Sequence, residues 1–237
     1  MLERVIKYSL VWTVLNNFKS RLTERLVKQY IEKTLIPDLR VQGWDQIIFT
    51  PHVWFGVEEE QNKNRPKSRQ IFMNSELIFF VSNGLYPTGD FLKYFKKLTR
   101  VIKNAPDGFL VKLRRTNQTK LLKDTLKEFG LKGGGWSVGG FSFFPSEHDR
   151  NEQLQVVEGE IEIVEVKTGK AIINSCQMID YRKVLEEKYA LRFFHVNILS
   201  FEKNEFEIEE KLIRTPKELE VVQLQERGRG RATRKVK

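Results

Sequence analysis

The stretch GEIEIVEVKTGKA, residues 159–171, ends an apolar run in a charged pair, Glu165 and Lys167. The isoleucines and valines of residues 161–166 favour a buried β-strand. Side chains two positions apart on a strand point to the same face, so the carboxylate and the ammonium group are expected side by side. An ion pair on an exposed edge strand would explain these residues alone, but burying an unpaired carboxylate is costly. The pattern therefore predicts a metal ion or a polar partner for Glu165.

A helix is predicted after this strand, from about residue 172 to residue 189, because apolar and polar residues alternate there with helical period. Gln177 and Tyr181 are four residues apart and therefore lie one helical turn from each other. Both are expected to present polar groups along one line of the helix.

The sequence EIEIVEVKTGK, followed by QMIDY, resembles the PD-(D/E)xK nuclease superfamily, in particular its RecB-like branch with Glu-x-Lys and Gln-x-x-x-Tyr motifs. The resemblance implies an α/β fold of the restriction-endonuclease type, with a mixed central sheet flanked by helices. It also implies an enzyme, a metal-dependent deoxyribonuclease that hydrolyses phosphodiester bonds of DNA. Paired motifs in this order are more specific than either motif alone.

The resemblance assigns catalytic roles to the residues that match the motifs. Glu165 and Lys167 match Glu-x-Lys, and Gln177 and Tyr181 match Gln-x-x-x-Tyr. Glu24 resembles the glutamate that the family carries on a helix near its N-terminus. In the family the strand glutamate helps to hold a divalent metal, and the lysine positions or activates the attacking water. The implied cofactor is therefore Mg²⁺ or Mn²⁺, hard cations that prefer oxygen ligands.

The first metal-binding acid departs from the family's pattern. The family usually has an aspartate, often after proline, at the start of the second strand, whereas here Ser146 follows Pro145. Asp149 is the predicted acid. With Glu165 and the backbone carbonyl of Val166, it would complete the implied metal site.

Two other acids remain alternatives to Asp149. Glu147 lies within the same segment. A tight turn at residues 158–159 is plausible from the Glu-Gly pair, and it would place Glu152 opposite Glu165 on a neighbouring strand. Either glutamate could then supply the second carboxylate.

The predicted organisation is a nuclease core interrupted by an insertion. Residues 1–54 and 141–213 form the core, and residues 55–140 form an α+β insertion with strands and two helices. Residues 214–237 are a basic tail that is expected to be disordered, because periodicity is lost after about residue 225.

Individual elements follow from hydrophobic period and from turn residues. The predicted helices span residues 2–18, 20–34, 90–104 and 117–130, and Pro37 is expected to stop the second one. The predicted strands span residues 45–57, 70–81, 109–115, 190–199 and 205–213.

The net charge favours a polyanionic partner. Lysine and arginine number 41 against 31 acidic residues, which gives a formal charge of +10 and attracts nucleic acids. DNA is the expected partner, and RNA is an alternative. The predicted nucleic-acid-binding residues are Arg114, Arg115, Arg227, Arg229 and Arg231.

A single cysteine excludes an internal disulfide and cysteine-rich metal sites, which fits a reducing, intracellular compartment such as the cytoplasm. No apolar run approaches the roughly 18 to 20 residues of a membrane span, so no membrane association is expected. The oligomeric state is left open, with a homodimer among the options.

Two other functions remain open at this level. The departure at Pro145 and Ser146 is compatible with a DNA-binding module whose catalytic core is degenerate. An RNA-processing nuclease would use the same hydrolytic chemistry on a different substrate.

Overall fold

The computed structural model describes residues 18–51, 75–102, 106–128, 136–138, 141–143, 151–169, 171–200, 203 and 205–232. The chain forms two compact units. The terminal unit contains Met1–Val41 and Val164–Lys237, and the central unit contains Gln42–Ile163. Within the described residues, no helix is both long and apolar enough to cross a membrane.

The protein is an α/β protein with a mixed six-stranded sheet flanked by helices. The strands are β1 (Gln46–Pro51), β2 (Leu85–Pro87), β3 (Gly108–Leu121), β4 (Trp136–Val138), β5 (Phe141–Phe143), β6 (Gln153–Thr168), β7 (Ala190–Ser200) and β8 (Glu205–Ile213). The sheet has the order β1-β3-β6-β7-β8, and β2 also pairs with β6. The β1–β3 and β7–β8 pairs are antiparallel, whereas β2 and β6 are parallel. Strands β4 and β5 pair with each other.

The helices are α1 (residues 18–30), α2 (Ile36–Val41), α3 (Ser75–Val81), α4 (Gly89–Val101), α5 (Leu122–Glu128), α6 (Ser175–Glu186) and α7 (Pro216–Ala232). The predicted positions of α4, α6, β7 and β8 are confirmed, as is the coarse α/β class. The predicted helix over residues 2–18 lies almost wholly outside the described residues.

Pro37 does not end the second helix, contrary to the prediction. A π-helical turn, Ile31–Leu35, connects α1 to α2, and the backbone N–H of Ile36 bonds to the carbonyl of Ile31. Proline has no backbone N–H to donate and its ring clashes with the preceding turn of a regular helix. The wider π-turn just before Pro37 lets the chain continue helically to Val41.

Residues 75–81 form a helix rather than part of a predicted strand. All side chains of residues 77–81 are buried. A short apolar run that is buried on every side has no polar alternation, so period alone does not distinguish helix from strand. Here aromatic contacts hold the helix: Phe79 and Phe80 each meet Phe95 of α4 edge-to-face, with ring centroids 6.2 and 5.9 Å apart.

The predicted turn at residues 158–159 is absent, because β6 runs without a break for 16 residues. Gly159 serves a close approach instead. A Cβ atom added to Gly159 would lie 2.1 Å from the carbonyl oxygen of Lys112 on β3. Glycine therefore allows the two backbones to pack closely, and the hairpin prediction was wrong.

Strand β3 is longer than predicted and takes the first residues of the helix expected over residues 117–130. It extends to Leu121, and α5 begins at Leu122. Helix α5 contributes Leu122 and Leu126 to a buried cluster of the central unit, whose other members are Leu77, Val81, Leu92 and Leu154.

The prediction of a disordered tail is wrong for residues 216–232, which form α7. Leu219 and Val222 are buried, with 0% and 4% of their surface exposed. Helix α7 packs against α6 and β8, and Arg182 Nη2 of α6 lies 2.7 Å from Glu220 Oε1 of α7. The burial of Leu219 and Val222 stabilises a helix that composition alone does not favour. Residues 233–237 lie outside the described residues.

Candidate functional site

Glu165 lies near the end of β6, in the terminal unit, and its side chain is fully buried. Its Oε1 atom accepts hydrogen bonds from Lys167 Nζ and, at 2.9 Å, from Gln177 Nε2. Its Oε2 atom accepts one from the hydroxyl of Tyr181. Lys167 Nζ also lies 3.3 Å from Gln177 Oε1. The four motif residues are therefore in contact, and the prediction of polar partners for Glu165 is confirmed.

The start of α6 fixes the position of Gln177. Asn174 caps the helix: its side chain accepts a hydrogen bond from the backbone N–H of Gln177 at 2.8 Å. In return Gln177 Oε1 accepts one from the backbone N–H of Asn174 at 3.3 Å, which completes a capping box. Gln177 thus joins the helix terminus to the carboxylate of Glu165, and its amide orientation is set by both partners.

Tyr181 lies one turn further along α6, on the buried face of the helix with Val184 and Leu185. Its side chain has no exposed surface. A buried hydroxyl needs a hydrogen-bond partner, and the Glu165 carboxylate supplies one. Tyr181 therefore orients the carboxylate from inside the unit.

The turn after Lys167 is held by β7. Gly169 has a positive φ of 59°, which glycine adopts without steric cost. Its N–H bonds to the carbonyl of Val196 at 3.0 Å, and its carbonyl accepts a hydrogen bond from His195 Nε2 at 2.6 Å. The backbone that carries Lys167 is thus fixed on the C-terminal side of the site.

Helix α1 reaches the end of β6 through two threonines. Thr168 Oγ1 donates to Thr23 Oγ1 at 3.0 Å, and Thr23 is buried. Glu24 directly follows Thr23 on α1, and consecutive residues of a helix point about 100° apart. The Glu24 carboxylate accepts a hydrogen bond from Ser20 Oγ at 3.1 Å.

Asp149 and Glu147 lie outside the described residues, so the predicted first acid stays a prediction. Glu152 lies beside the first residue of β6. Because β6 is continuous, Glu152 is separated from Glu165 along one extended strand and does not face it across a hairpin. Among the described residues, no group of three or more His, Cys, Asp or Glu side chains is arranged to hold a metal ion.

The predicted nucleic-acid-binding residues lie in both units. Arg114 and Arg115 are exposed on β3 of the central unit. Arg227, Arg229 and Arg231 belong to α7 of the terminal unit, and their side chains lie outside the described part of the chain.

A second polar cluster of the terminal unit joins α1 to β7 and β8. Tyr30 hydroxyl donates to Glu210 Oε2 at 2.8 Å, and Arg192 Nη1 contacts Glu210 Oε1. Burial, with the adjacent Glu210 carboxylate, raises the pKa of Tyr30 to about 12. Since both carboxylate oxygens of Glu210 have protein partners, this cluster serves to connect elements.

Sequence reasoning missed Asn174, Thr23 and Thr168. The spacing of Asn174 and Gln177, three residues apart before an apolar face, matches the capping-box signature and could have been found. The threonine pair has no sequence signal, because its members are 145 positions apart.

Comparisons of the chain with protein-family models, with curated proteins and with solved structures find no match. The chemistry of the site therefore has to be inferred from the residues of this chain.

Proposed function

We propose that the protein is a divalent-metal-dependent nuclease that hydrolyses phosphodiester bonds of DNA, of the PD-(D/E)xK type and RecB-like. One observation carries the proposal: Lys167, Gln177 and Tyr181 converge on the buried carboxylate of Glu165. The proposal includes the finer fold class, a restriction-endonuclease-like core around β6 and α6.

The ligand atoms proposed for the metal are all oxygens, which hard cations such as Mg²⁺ and Mn²⁺ prefer. A carboxylate has about four acceptor positions, and the described residues fill three of those of Glu165. Glu165 and the carbonyl of Val166 would hold Mg²⁺ or Mn²⁺, with Asp149 as the further acid. Such an ion polarises a phosphoryl oxygen and lowers the pKa of a bound water.

Lys167 supplies a cation next to this carboxylate. Its side chain is 14% exposed, so it is largely shielded from water without being fully buried. Placed there, it orients an attacking water and stabilises negative charge on a phosphate. Gln177 and Tyr181 keep Glu165 in one orientation, and Glu24 assists from α1.

The test is metal-dependent cleavage of labelled single-stranded, duplex and branched DNA. The wild type is expected to cut with Mg²⁺ or Mn²⁺ and not with EDTA. Lys167→Ala should lower the rate by about a hundredfold or more, by analogy with removal of one transition-state donor. DNA affinity in EDTA should change little, and Glu24→Ala should cause a partial loss.

Absence of cleavage by the folded wild type with either metal would contradict the nuclease assignment. So would a Lys167→Ala rate within a few fold of the wild type. Asp149→Asn should raise the metal concentration that cleavage requires, and Glu152→Gln, at the far end of β6, should not.

A second candidate is a nucleic-acid-binding module without catalysis. It is favoured by the number of protein donors that already contact Glu165 and by Ser146 after Pro145. DNA binding without cleavage under any metal would support it. Labelled RNA, offered together with DNA, tests the RNA-processing alternative in the same assay.

A further inference from the structure

Strand β3 continues well past the end of its neighbour β1. The pairing with β1 runs from Gly108↔Pro51 to Leu113↔Gln46, whereas β3 reaches Leu121. Residues 114–120, RRTNQTK, are called the β3 extension below. This segment lies in the central unit, outside the residues that form the proposed catalytic site.

The β3 extension exposes polar side chains on both faces. Residues 114, 115, 117, 118 and 119 are all exposed, whereas residues 108–113 are all buried. From Lys112 to Lys123 the sequence KLRRTNQTKLLK contains five basic residues and no acid. A strand that leaves the core with this composition presents positive charge together with amide and hydroxyl groups.

The extension is held rigidly on its β6 side. Thr116 Oγ1 donates to the carbonyl of Val156 at 3.1 Å. Gln155 Nε2 donates to the carbonyls of Thr116 and Gln118 at 2.7 and 3.1 Å. These contacts fix the backbone without using the side chains of the exposed arginines.

Aromatic rings position a cation at each end of the extension. The guanidinium of Arg114 lies 4.6 Å from the ring centroid of Trp44, and the ammonium of Lys120 lies 4.2 Å from that of Tyr86. The Arg115 backbone N–H bonds to Asp45 Oδ2 at 2.7 Å. A cation held on a ring loses less conformational entropy on binding than a mobile one.

We infer that the β3 extension binds the sugar-phosphate backbone of a nucleic acid, independently of sequence. This inference rests on the proposed function for the choice of a nucleic acid as partner, and it identifies a surface that binds it. Phosphate oxygens take hydrogen bonds from arginine, lysine, asparagine, glutamine and threonine side chains, the residue types of the extension. An exposed strand with charge on both faces suits an extended polyanion.

The experiment measures binding by fluorescence anisotropy in EDTA, so that cleavage does not interfere. The probes are duplex DNA, single-stranded DNA and RNA of equal length, each over a series of salt concentrations. The double variant Arg114→Ala/Arg115→Ala should bind at least about tenfold more weakly at low salt. Its slope of log affinity against log salt on duplex DNA should flatten by about 1.8, because each phosphate contact contributes about 0.9.

Three variants make the result specific. Arg40→Ala/Lys93→Ala removes the same charge from exposed positions outside the extension. It should change affinity by less than about threefold, because salt screens the attraction between DNA and charges that do not contact it. Arg114→Lys/Arg115→Lys keeps the charge and should retain most of the affinity. Trp44→Leu should weaken binding less than the double alanine variant, because the charge of Arg114 remains.

Equal losses in the Arg114/Arg115 and Arg40/Lys93 alanine variants, or an unchanged salt slope, would overturn the inference. Competition by polyglutamate as effective as that by DNA of equal charge would contradict a nucleic acid as the partner. Cleavage separates this inference from the proposed function. If the wild type binds DNA through the extension but does not cleave it, only the nuclease proposal is contradicted. If the wild type cleaves DNA and the Arg114→Ala/Arg115→Ala variant binds DNA as tightly as the wild type does, only the binding surface is contradicted.

Discussion

Strand β6 carries two buried glutamates three residues apart, and each contacts a lysine. Glu162 meets Lys112, which comes from the neighbouring strand β3 and is itself buried; the Nζ–Oε1 distance is 2.7 Å. The same ammonium group reaches the half-exposed Glu160 at 2.9 Å. Glu165 instead meets Lys167 from its own strand.

The two contacts differ in what surrounds them. Lys112 is buried, with 5% of its side chain exposed, whereas the side chain of Lys167 is 14% exposed at the end of β6. Helix α6 adds two donors to Glu165, Gln177 and Tyr181. A buried glutamate next to a lysine is therefore not by itself a catalytic signal. The helix donors and the partly exposed side chain of Lys167 distinguish the candidate site from the buried ion pair of Lys112 and Glu162.

The largest effect on stability is expected from Lys112→Met. This change removes the ammonium group that contacts the buried carboxylate of Glu162, and removing one partner of a buried pair costs about 3–5 kcal/mol. Chemical denaturation of the variant beside the wild type measures the loss. Adding Glu162→Leu should recover much of it, because an apolar pair of similar volume avoids the buried charge. If Lys112→Met alone is as stable as the wild type, the structural role of this pair is contradicted.

Tyr181→Phe should have the next largest effect, because it removes a donor to a buried carboxylate. Hydrogen bonds to charged groups contribute about 1.5–3 kcal/mol. Denaturation of Tyr181→Phe, of Glu165→Gln and of the double variant forms a cycle that isolates the coupling between the two side chains. If the stability lost by the double variant equals the sum of the losses of the two single variants, Tyr181 does not act through Glu165.

Asn174→Ala should cost about 1 kcal/mol of stability, because it removes the N-cap of α6. Asn174→Asp keeps an acceptor at the cap and should be close to the wild type. If Gln177 needs the cap to reach Glu165, the alanine variant should also cleave more slowly under conditions where it is fully folded. Equal behaviour of the alanine and aspartate variants would count against the role of the capping box.

The smallest effect concerns Tyr30 and alkaline pH. The pKa of Tyr30 is raised from 10.0 to about 12 in the folded protein, so its stabilising contribution is complete below about pH 10 and is lost as the pH rises toward 12. Unfolding midpoints between pH 9 and 12 should therefore fall less steeply for Tyr30→Phe than for the wild type. Parallel curves for the two proteins would contradict this linkage.

The sequence predicts the candidate site better than its surroundings, for a physical reason. Glu165 and Lys167 are fixed relative to each other by strand period, and Gln177 and Tyr181 by helical period, so local geometry determines both pairs. The contact between the two pairs depends in addition on the packing of α6 against β7.

The errors arose where a residue type has two structural uses. Gly159 could mark a turn or a close approach of two backbones, and only the position of Lys112 on β3 decides between them. The run SELIFFV has no polar alternation because its last five side chains are buried on every side. Leu219 and Val222 acquire an apolar partner surface only when α6 and β8 are in place.

The most direct test of the account is metal-dependent cleavage by two matched variants, Glu165→Gln and Glu162→Gln. Each replaces a buried carboxylate of β6 by an amide of the same shape, and unfolding measurements identify conditions under which both are folded. The account predicts that Glu165→Gln loses cleavage and keeps its DNA affinity in EDTA, whereas Glu162→Gln cuts at a rate within a few fold of the wild type. Cleavage by Glu165→Gln at the wild-type rate, or equal losses in the two variants, would contradict it.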